Sequence, residues 1–330
     1  IKRERGFTCL IGLYVDDMLL ACSNSRQMQQ IFQQLSEYVE VVNRGPVSSY
    51  LGMQIERDEC TGAISIHQES YVRQLLKSWG MESCKPSSTP WVEGTLLRKC
   101  ESQCTNIETK QYQSLIGGLM YLAVISRPDI AHVVSKLSQF NNHPHEEHFK
   151  AAKHVLRYLQ HTANAKITYT ESDTNLTCFT DSDWAGDVTD RKSYTGYVVF
   201  MSSGPISWES RKQSIVALST MEAEYVALCQ GAKDVVFLRT LLQEMGFNDF
   251  VNESTDMFCD NQSAQFLLKN PMVHKRSKHI DLRFHYVREV FEKGYIQVNY
   301  VSSELNTADI MTKCLKKTKH QYGCKLLRLT

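Results

Sequence analysis

The stretch Leu176-Thr177-Cys178-Phe179-Thr180-Asp181 decides the fold of the C-terminal half, because it predicts a short apolar strand that ends at a carboxylate. Two more strands are predicted at residues 194–201 and 205–211, and a long helix follows at residues 219–245. The later elements are a strand at 255–259, a helix before Pro271, a helix at 281–293, a strand at 295–301 and a helix from about residue 306. This order predicts a mixed α/β layer domain.

Upstream of this domain, the pattern indicates helices preceded by a smaller α/β segment. Residues 110–159 are mainly helical by periodicity, with breaks at Arg127-Pro128 and at residues 141–144. A polar linker is predicted at residues 93–108. The earlier elements are strands at 7–14, 18–22, 49–57 and 63–67, and helices at 26–38 and 69–79.

The composition is that of a globular protein, with 42% hydrophobic and 22% charged residues in a chain of 330. The 37 basic and 36 acidic residues sum to +1, so overall charge does not indicate a nucleic-acid partner. No apolar run approaches the ~18 residues that span a bilayer, so no membrane association is expected. Eleven irregularly spaced cysteines indicate free thiols in a reducing compartment. A first residue other than Met suggests a piece of a longer polypeptide.

Four carboxylates lie at the ends of predicted elements: Asp181, Glu224, Asp260 and Asp309. Acids at strand ends and helix starts can converge on one edge of an α/β sheet, where oxygen ligands suit Mg²⁺. Two such ions about 3.5–4 Å apart can activate a water and stabilise the leaving oxygen of a phosphodiester. Taken singly, each acid is more simply a solvated group or a helix cap, as Glu222 is in the capping box of residues 219–222.

Five motifs here together resemble the ribonuclease H domain of copia-type LTR retrotransposon polyproteins. They are Phe179-Thr180-Asp181-Ser182-Asp183-Trp184-Ala185-Gly186, Ala223-Glu224-Tyr225, Cys259-Asp260-Asn261-Gln262-Ser263-Ala264, Lys278-His279-Ile280-Asp281 and Ala308-Asp309-Ile310. The resemblance implies an RNase H-like fold, with a mixed five-stranded sheet and flanking helices, that cuts the RNA strand of an RNA–DNA hybrid. It also implies two Mg²⁺ ions, for which Mn²⁺ can substitute, held by the catalytic residues Asp181, Glu224, Asp260 and Asp309.

One departure from the family concerns histidine. Many ribonucleases H carry a histidine on the loop before the last acid, whereas the connection here, Ser302-Ser303-Glu304-Leu305-Asn306, has none. His274, His279 and His285 lie earlier in the chain, so we do not expect them to take part in catalysis. His279 and Asp281 are expected to order a helix start instead.

A second resemblance lies near the N-terminus, where Tyr14-Val15-Asp16-Asp17 separates two apolar strands. Adjacent acids in a tight turn repel unless a cation lies nearby, which makes metal binding attractive, but a bare Asp-Asp turn is usually solvated. The hairpin resembles the catalytic hairpin of reverse transcriptases, which implies metal ligation by Asp16 and Asp17 and substrate contact by Tyr14. Other motifs look like the late palm and thumb of copia-type polymerases: Ser49-Tyr50-Leu51-Gly52-Met53, Gly80-Met81, Cys84-Lys85-Pro86 and Arg127-Pro128-Asp129-Ile130.

The two resemblances cover nearly the whole chain and divide it into four parts. Residues 1–92 are a partial reverse transcriptase palm, 93–172 a mainly helical thumb or connection, 173–318 a ribonuclease H-like domain and 319–330 a basic C-terminal tail. Only 15 residues precede Asp16, too few for the third metal-binding aspartate and the fingers of a reverse transcriptase. We therefore expect this chain alone not to polymerise DNA.

Basic side chains are the candidates for contact with nucleic-acid phosphates, since they give sequence-independent, salt-sensitive affinity. A solvated charged face is the alternative explanation. The candidates are Arg191, Lys192, Lys275, Arg276 and Lys278, with Asn261 as a further substrate contact, and the C-terminal Lys313, Lys316, Lys317, Lys319, Lys325 and Arg328. Residues 142–148 have the composition of metal ligands, but a polar loop and helix start explain them better.

Three functions compete. The leading one is a retrotransposon Pol fragment with an active ribonuclease H domain, acting with an RNA–DNA hybrid and the remainder of the Pol polyprotein. Its expected place is intracellular, in a cytoplasmic virus-like particle or the nucleus. The alternatives are a non-catalytic nucleic-acid-binding or architectural unit and a decayed transposon remnant. The presence of all four acids in an uninterrupted frame favours the first over the last.

Overall fold

A computed structural model describes residues 1–4, 6–98, 106–172, 175–269 and 278–330. The chain forms two compact units, residues 1–56 and 57–330. None of the boundaries predicted at residues 92, 172 and 318 coincides with this division, and they stay predictions. In the described ranges, no helix is both long enough and apolar enough to cross a membrane.

The unit of residues 1–56 contains a three-stranded antiparallel sheet and one helix; the helix and the last two strands were predicted, whereas the first strand was not. Its elements are β1 (Lys2–Glu4), β2 (Phe7–Tyr14), β3 (Asp17–Cys22) and α1 (Ser25–Ser36), with sheet order β1-β2-β3. Asn24 caps α1, because its side chain accepts a hydrogen bond from the Gln27 N–H at 3.1 Å. The core of this unit is small and consists of Phe7, Cys9 and Ile31.

The strand predicted over residues 49–57 is instead a hairpin. β4 (Ser49–Tyr50) and β5 (Met53–Arg57) pair antiparallel across Leu51-Gly52. These two residues have φ angles of 50° and 77°, the left-handed conformations that a two-residue hairpin turn requires. The sequence did not indicate the turn, because leucine is not a residue that favours this conformation.

The first part of the unit of residues 57–330 is mainly helical, as predicted. Its elements are β6 (Ile64–His67), α2 (Glu69–Ser78), α3 (Asn106–Ile125), α4 (Ala131–Ser138), α5 (Glu146–His161) and β7 (Ile167–Tyr169). The predicted breaks separate α3 from α4 and α4 from α5. Pro128 begins a short 3-10 turn at the first break, since it lacks the N–H that would continue a helix.

Five strands form the mixed sheet that the resemblance to ribonuclease H implies. They are β8 (Thr177–Asp183), β9 (Tyr194–Met201), β10 (Gly204–Lys212), β11 (Thr255–Cys259) and β12 (Ile296–Tyr300), in the order β10-β9-β8-β11-β12. The first three are antiparallel, whereas β11 runs parallel to both β8 and β12. The fold class is mixed α/β, as predicted, and the C-terminal ends of β8 and β11 meet at one edge.

Three helices accompany this sheet: α6 (Thr220–Glu244), α7 (Gln262–Lys269) and α8 (Lys278–Glu292). Ser219 caps α6 by accepting the Glu222 N–H, as the capping box predicts. α6 packs on β8 and β9. Its Gly231 allows a close approach, because a Cβ there would lie 2.9 Å from Thr180 Cγ2 and 3.1 Å from Cys178 Sγ.

The C-terminal stretch departs most from expectation. In place of one helix from about residue 306, the structure has a 3-10 turn at Thr307–Met311 and a helix, α9, at Lys317–Leu326. The residues expected to form a basic tail are folded. Leu327 is buried in the same apolar core as the helices, and the backbone of Thr330 exchanges two hydrogen bonds with that of Lys166. Because lysines are frequent in this stretch, the sequence did not reveal the apolar positions that pack into the core.

Candidate metal centre

The ends of β8 and β11 and the start of α6 bring three carboxylates together. Asp181 lies in β8, Asp260 directly follows β11 and Glu224 lies in the first turns of α6. One oxygen of each lies within 4.8 Å of the others. Asp181 and Glu224 are buried, and Asp260 is half-buried. The convergence that the sequence predicts is therefore present for these three acids.

Hydrogen bonds hold each of the three carboxylates in place. The Ser182 N–H donates to Glu224 Oε1 at 3.1 Å, and the Ser303 hydroxyl donates to Asp260 Oδ2 at 2.6 Å. The Thr312 hydroxyl donates to Asp181 Oδ2. The cluster is therefore positioned by neighbouring backbone and hydroxyl groups.

Glu224 is the least satisfied of the three carboxylates. Its Oε2 is buried and has no hydrogen-bond partner among the described residues. Burial raises the pKa of Glu224 well above its ordinary value, and the charges of Asp181 and Asp260 raise it further. Burial also raises the pKa of Asp181, although the Lys313 ammonium opposes that shift. A buried, unpartnered carboxylate oxygen beside two other carboxylates fits a hard divalent ion such as Mg²⁺.

The fourth predicted acid, Asp309, lies in the 3-10 turn and is held by two lysines. Lys313 Nζ lies 2.5 Å from Asp309 Oδ1 and 3.2 Å from Asp181 Oδ2, and Lys319 pairs with the other oxygen of Asp309. Burial lowers the pKa of Lys313, but the carboxylates of Asp181 and Asp309 outweigh that effect and raise it. Asp309 thus adjoins the cluster through Lys313.

Two polar residues that the sequence did not single out support this edge of the sheet. The buried amide of Gln213 donates to Thr195 Oγ1 and to the Ala223 carbonyl, both at 3.0 Å. Asn306 Nδ2 donates to the Thr180 carbonyl at 2.9 Å. No local sequence pattern identifies Gln213 as a supporting residue. Asn306 could have been identified, because it is a polar residue three positions before Asp309.

Asp183 lies two residues after Asp181. It ends β8, and its carboxylate accepts the Tyr194 N–H of β9. Burial raises the pKa of Asp183 to about 7. The described hydrogen bond of the Asp183 carboxylate therefore joins β8 to β9.

The structure describes some of the predicted substrate contacts but not all of them. Asn261 caps α7, because its side chain accepts the Ala264 N–H at 3.0 Å. Arg191 and Lys192 lie in the connection between β8 and β9, where Arg191 is exposed. Lys275 and Arg276 lie outside the described residues, and so does the side chain of Lys278, the first residue of α8. Phosphate contact by these groups stays a prediction.

The Asp-Asp turn has the predicted hairpin form. β2 and β3 pair in a register that places Tyr14 opposite Asp17, with Val15 and Asp16 as the turn. Tyr14, Asp16 and Asp17 are all exposed. Metal ligation by the two acids and substrate contact by Tyr14 stay predictions.

A second group with possible metal ligands is explained by ordinary pairing. Asp129, His320 and Cys324 also offer ligand atoms within 4.8 Å of one another. However, both oxygens of Asp129 accept from the buried Arg127 guanidinium, at 2.9 and 2.8 Å, and Oδ2 also accepts from Tyr158 at 2.6 Å. This carboxylate is already neutralised, so the group is a structural network.

Comparison with known proteins defines the class of protein to which this chain belongs. Residues 2–93 match the family model described as "Reverse transcriptase (RNA-dependent DNA polymerase)". Among solved structures, LC11-RNase H1 in complex with an RNA/DNA hybrid is similar, with a TM-score of 0.32 and 16% identity over 42% of this chain and 94% of that chain. The reverse transcriptase match, the five-stranded mixed sheet and its acidic edge define a reverse transcriptase region followed by an RNase H-like domain.

Two plant proteins give the particular family. The Pol polyprotein from transposon TNT 1-94 of Nicotiana tabacum is 39% identical over 98% of this chain, and that from transposon RE1 of Arabidopsis thaliana is 34% identical over 96%. This chain belongs to the copia-type retrotransposon Pol polyproteins. It spans 24% and 21% of the lengths of these two relatives.

Proposed function

We propose that the RNase H-like domain hydrolyses the RNA strand of RNA–DNA hybrids with the help of divalent metal. The observation that carries this proposal is the cluster of Asp181, Glu224 and Asp260, whose oxygens lie within 4.8 Å of one another at the sheet edge. Membership of the copia-type Pol family supports the choice of substrate.

The donor set suits Mg²⁺, with Mn²⁺ as a substitute. Bound there, a divalent ion would lower the pKa of a water and stabilise the charge that develops on the phosphate. Asp181, Glu224 and Asp260 would hold it, and Asp309 is the proposed fourth acid. The Ser182 N–H and the Ser303 hydroxyl keep Glu224 and Asp260 oriented for this task.

The hybrid would be bound through its phosphates. Arg191, Lys192, Lys275, Arg276 and Lys278 are the proposed cationic contacts, and Asn261 is a further one. Their contribution would weaken as salt concentration rises, because phosphate binding releases condensed counterions. In the longer polyprotein, Asp16 and Asp17 are proposed to ligate the polymerase metal, beside Tyr14 at the substrate. An intracellular particle or the nucleus is the proposed place of action.

The test is cleavage of an end-labelled RNA–DNA hybrid in Mg²⁺ or Mn²⁺. We expect Asp181→Asn and Asp260→Asn each to lower the rate by about 100-fold or more, which corresponds to ~3 kcal/mol of lost transition-state stabilisation. Asp249→Asn is the matched control, because Asp249 is an exposed acid of the 3-10 turn at Asn248–Val251 and is not one of the clustered acids. Salt-sensitive binding of the hybrid without cleavage would contradict the proposal and favour an architectural role.

A further inference from the structure

Lys313 occupies an unusual position in the acidic cluster. Its ammonium lies 2.5 Å from Asp309 Oδ1 and 3.2 Å from Asp181 Oδ2, so it bridges two of the four proposed metal ligands. The backbone fixes this arrangement, because the Lys313 N–H donates to the Asp309 carbonyl at 3.1 Å within the same turn. The lysine is therefore a cation built into the site.

The charges divide the cluster into two parts. Both oxygens of Asp309 face lysines, one Lys313 and the other Lys319. Glu224 Oε2 is buried and has neither an ion-pair partner nor a hydrogen-bond partner among the described residues. With all four carboxylates ionised, as metal binding requires, the two ammonium groups leave a net charge of two minus, which one divalent ion neutralises. A second divalent ion close to the Lys313 ammonium would be repelled.

We infer that the Lys313 ammonium holds the place of a second divalent cation between Asp181 and Asp309 until nucleic acid binds. The position formed by Asp181, Glu224 and Asp260 then takes one ion in the free protein. The Asp181–Asp309 position takes its ion only after Lys313 moves, and a phosphate of the bound strand is the group that would attract the ammonium away. This inference rests on the proposed function, because nucleic acid is the substrate named there. The order in which the two ions bind does not depend on that function.

The experiment counts Mn²⁺ ions bound to the full chain without nucleic acid, by isothermal titration calorimetry and by electron paramagnetic resonance of free Mn²⁺. We expect one ion in the wild type and two in Lys313→Met, with the second ion bound at least about tenfold more tightly than in the wild type, a change of ~1.4 kcal/mol. Lys316→Met is the matched control. It removes the same charge from an exposed lysine that pairs with Glu93, and it should bind one ion.

Two ions of similar affinity in the free wild type, or no bound ion, would overturn the inference, and neither result depends on the folding of a variant. A single ion in a folded Lys313→Met protein would also overturn it. Hybrid cleavage is measured separately. Loss of the proposed function alone would appear as ordered metal binding without cleavage, whereas failure of this inference alone would appear as cleavage without ordered binding.

Discussion

The role of each titratable side chain in the site depends on the residues that contact it, and many of these come from distant parts of the chain. The positions of Asp181, Glu224 and Asp260 at element ends were enough to predict their convergence. Lys313 was instead predicted to contact phosphate, because its charge was visible in the sequence, whereas its contact with Asp181, which lies 132 positions earlier, was not. Asp309 adjoins Asp181 through Lys313, and its lysine contacts depend on the path of the chain after residue 311.

His132 shows how burial makes a residue sensitive to acid. Burial lowers its pKa to about 3, and Lys136 lowers it further, while a backbone hydrogen bond involving Met311 opposes the shift. As pH falls below the ordinary histidine value of ~6.5, the unfolded chain gains a proton first, so stability is lost between that pH and about 3.

We therefore expect His132→Phe to flatten the acid side of the stability curve, by up to about 1.4 kcal/mol per pH unit for one proton. Urea unfolding between pH 7 and pH 4 measures the slope, with the exposed His143→Phe as control. Equal slopes in the wild type and in His132→Phe would show that this histidine does not govern acid sensitivity.

Element positions were largely predictable where hydrophobic periodicity was strong. β9 and β11 begin and end where predicted, since each is an apolar run bounded by polar residues. The hairpin of β4 and β5 was missed because a leucine occupies its turn, and the two-part C-terminal structure was missed because tertiary contacts form it. Local patterns therefore gave the sheet, but not the elements that tertiary packing stabilises.

At the scale of elements, the close packing of α6 on β8 is testable at Gly231. Alanine stabilises an open helical position by about 1 kcal/mol relative to glycine. At Gly231 the added Cβ would lie 2.9 Å from Thr180 Cγ2, so overpacking is expected to cost ~1–3 kcal/mol and to shift α6.

Gly117→Ala in α3 is the matched control, because a Cβ there meets nothing within 4 Å. We expect Gly117→Ala to raise the free energy of unfolding and Gly231→Ala to lower it, with weaker metal binding in the latter because α6 carries Glu224. Thermal melting and Mn²⁺ titration measure both effects. Equal stabilisation by the two changes would exclude a tight contact between α6 and β8.

At the scale of the whole unit of residues 57–330, one core includes side chains from widely separated parts of the chain. Leu119 of α3 and Leu156 of α5 share it with Val198 of β9 and with Leu327. We expect Leu327→Ala to lower the free energy of unfolding by about 2–5 kcal/mol, as for other fully buried leucines.

Leu96→Ala is the control for this change, because Leu96 is 60% exposed. Urea unfolding should show one cooperative transition for the unit, with a lower midpoint in Leu327→Ala. A small effect, equal to that of Leu96→Ala, would mean that the C-terminal residues do not support the helices in solution.

The placement of Leu327 and Thr330 has a consequence for the order of events during translation. The helices of residues 106–161 emerge from the ribosome long before the residues that complete their core and pair with Lys166. Until then, part of their apolar surface stays open to solvent or to chaperones. Folding of this unit is therefore completed only after the segment near residue 330 has emerged from the ribosome. This holds for any order in which the helices form.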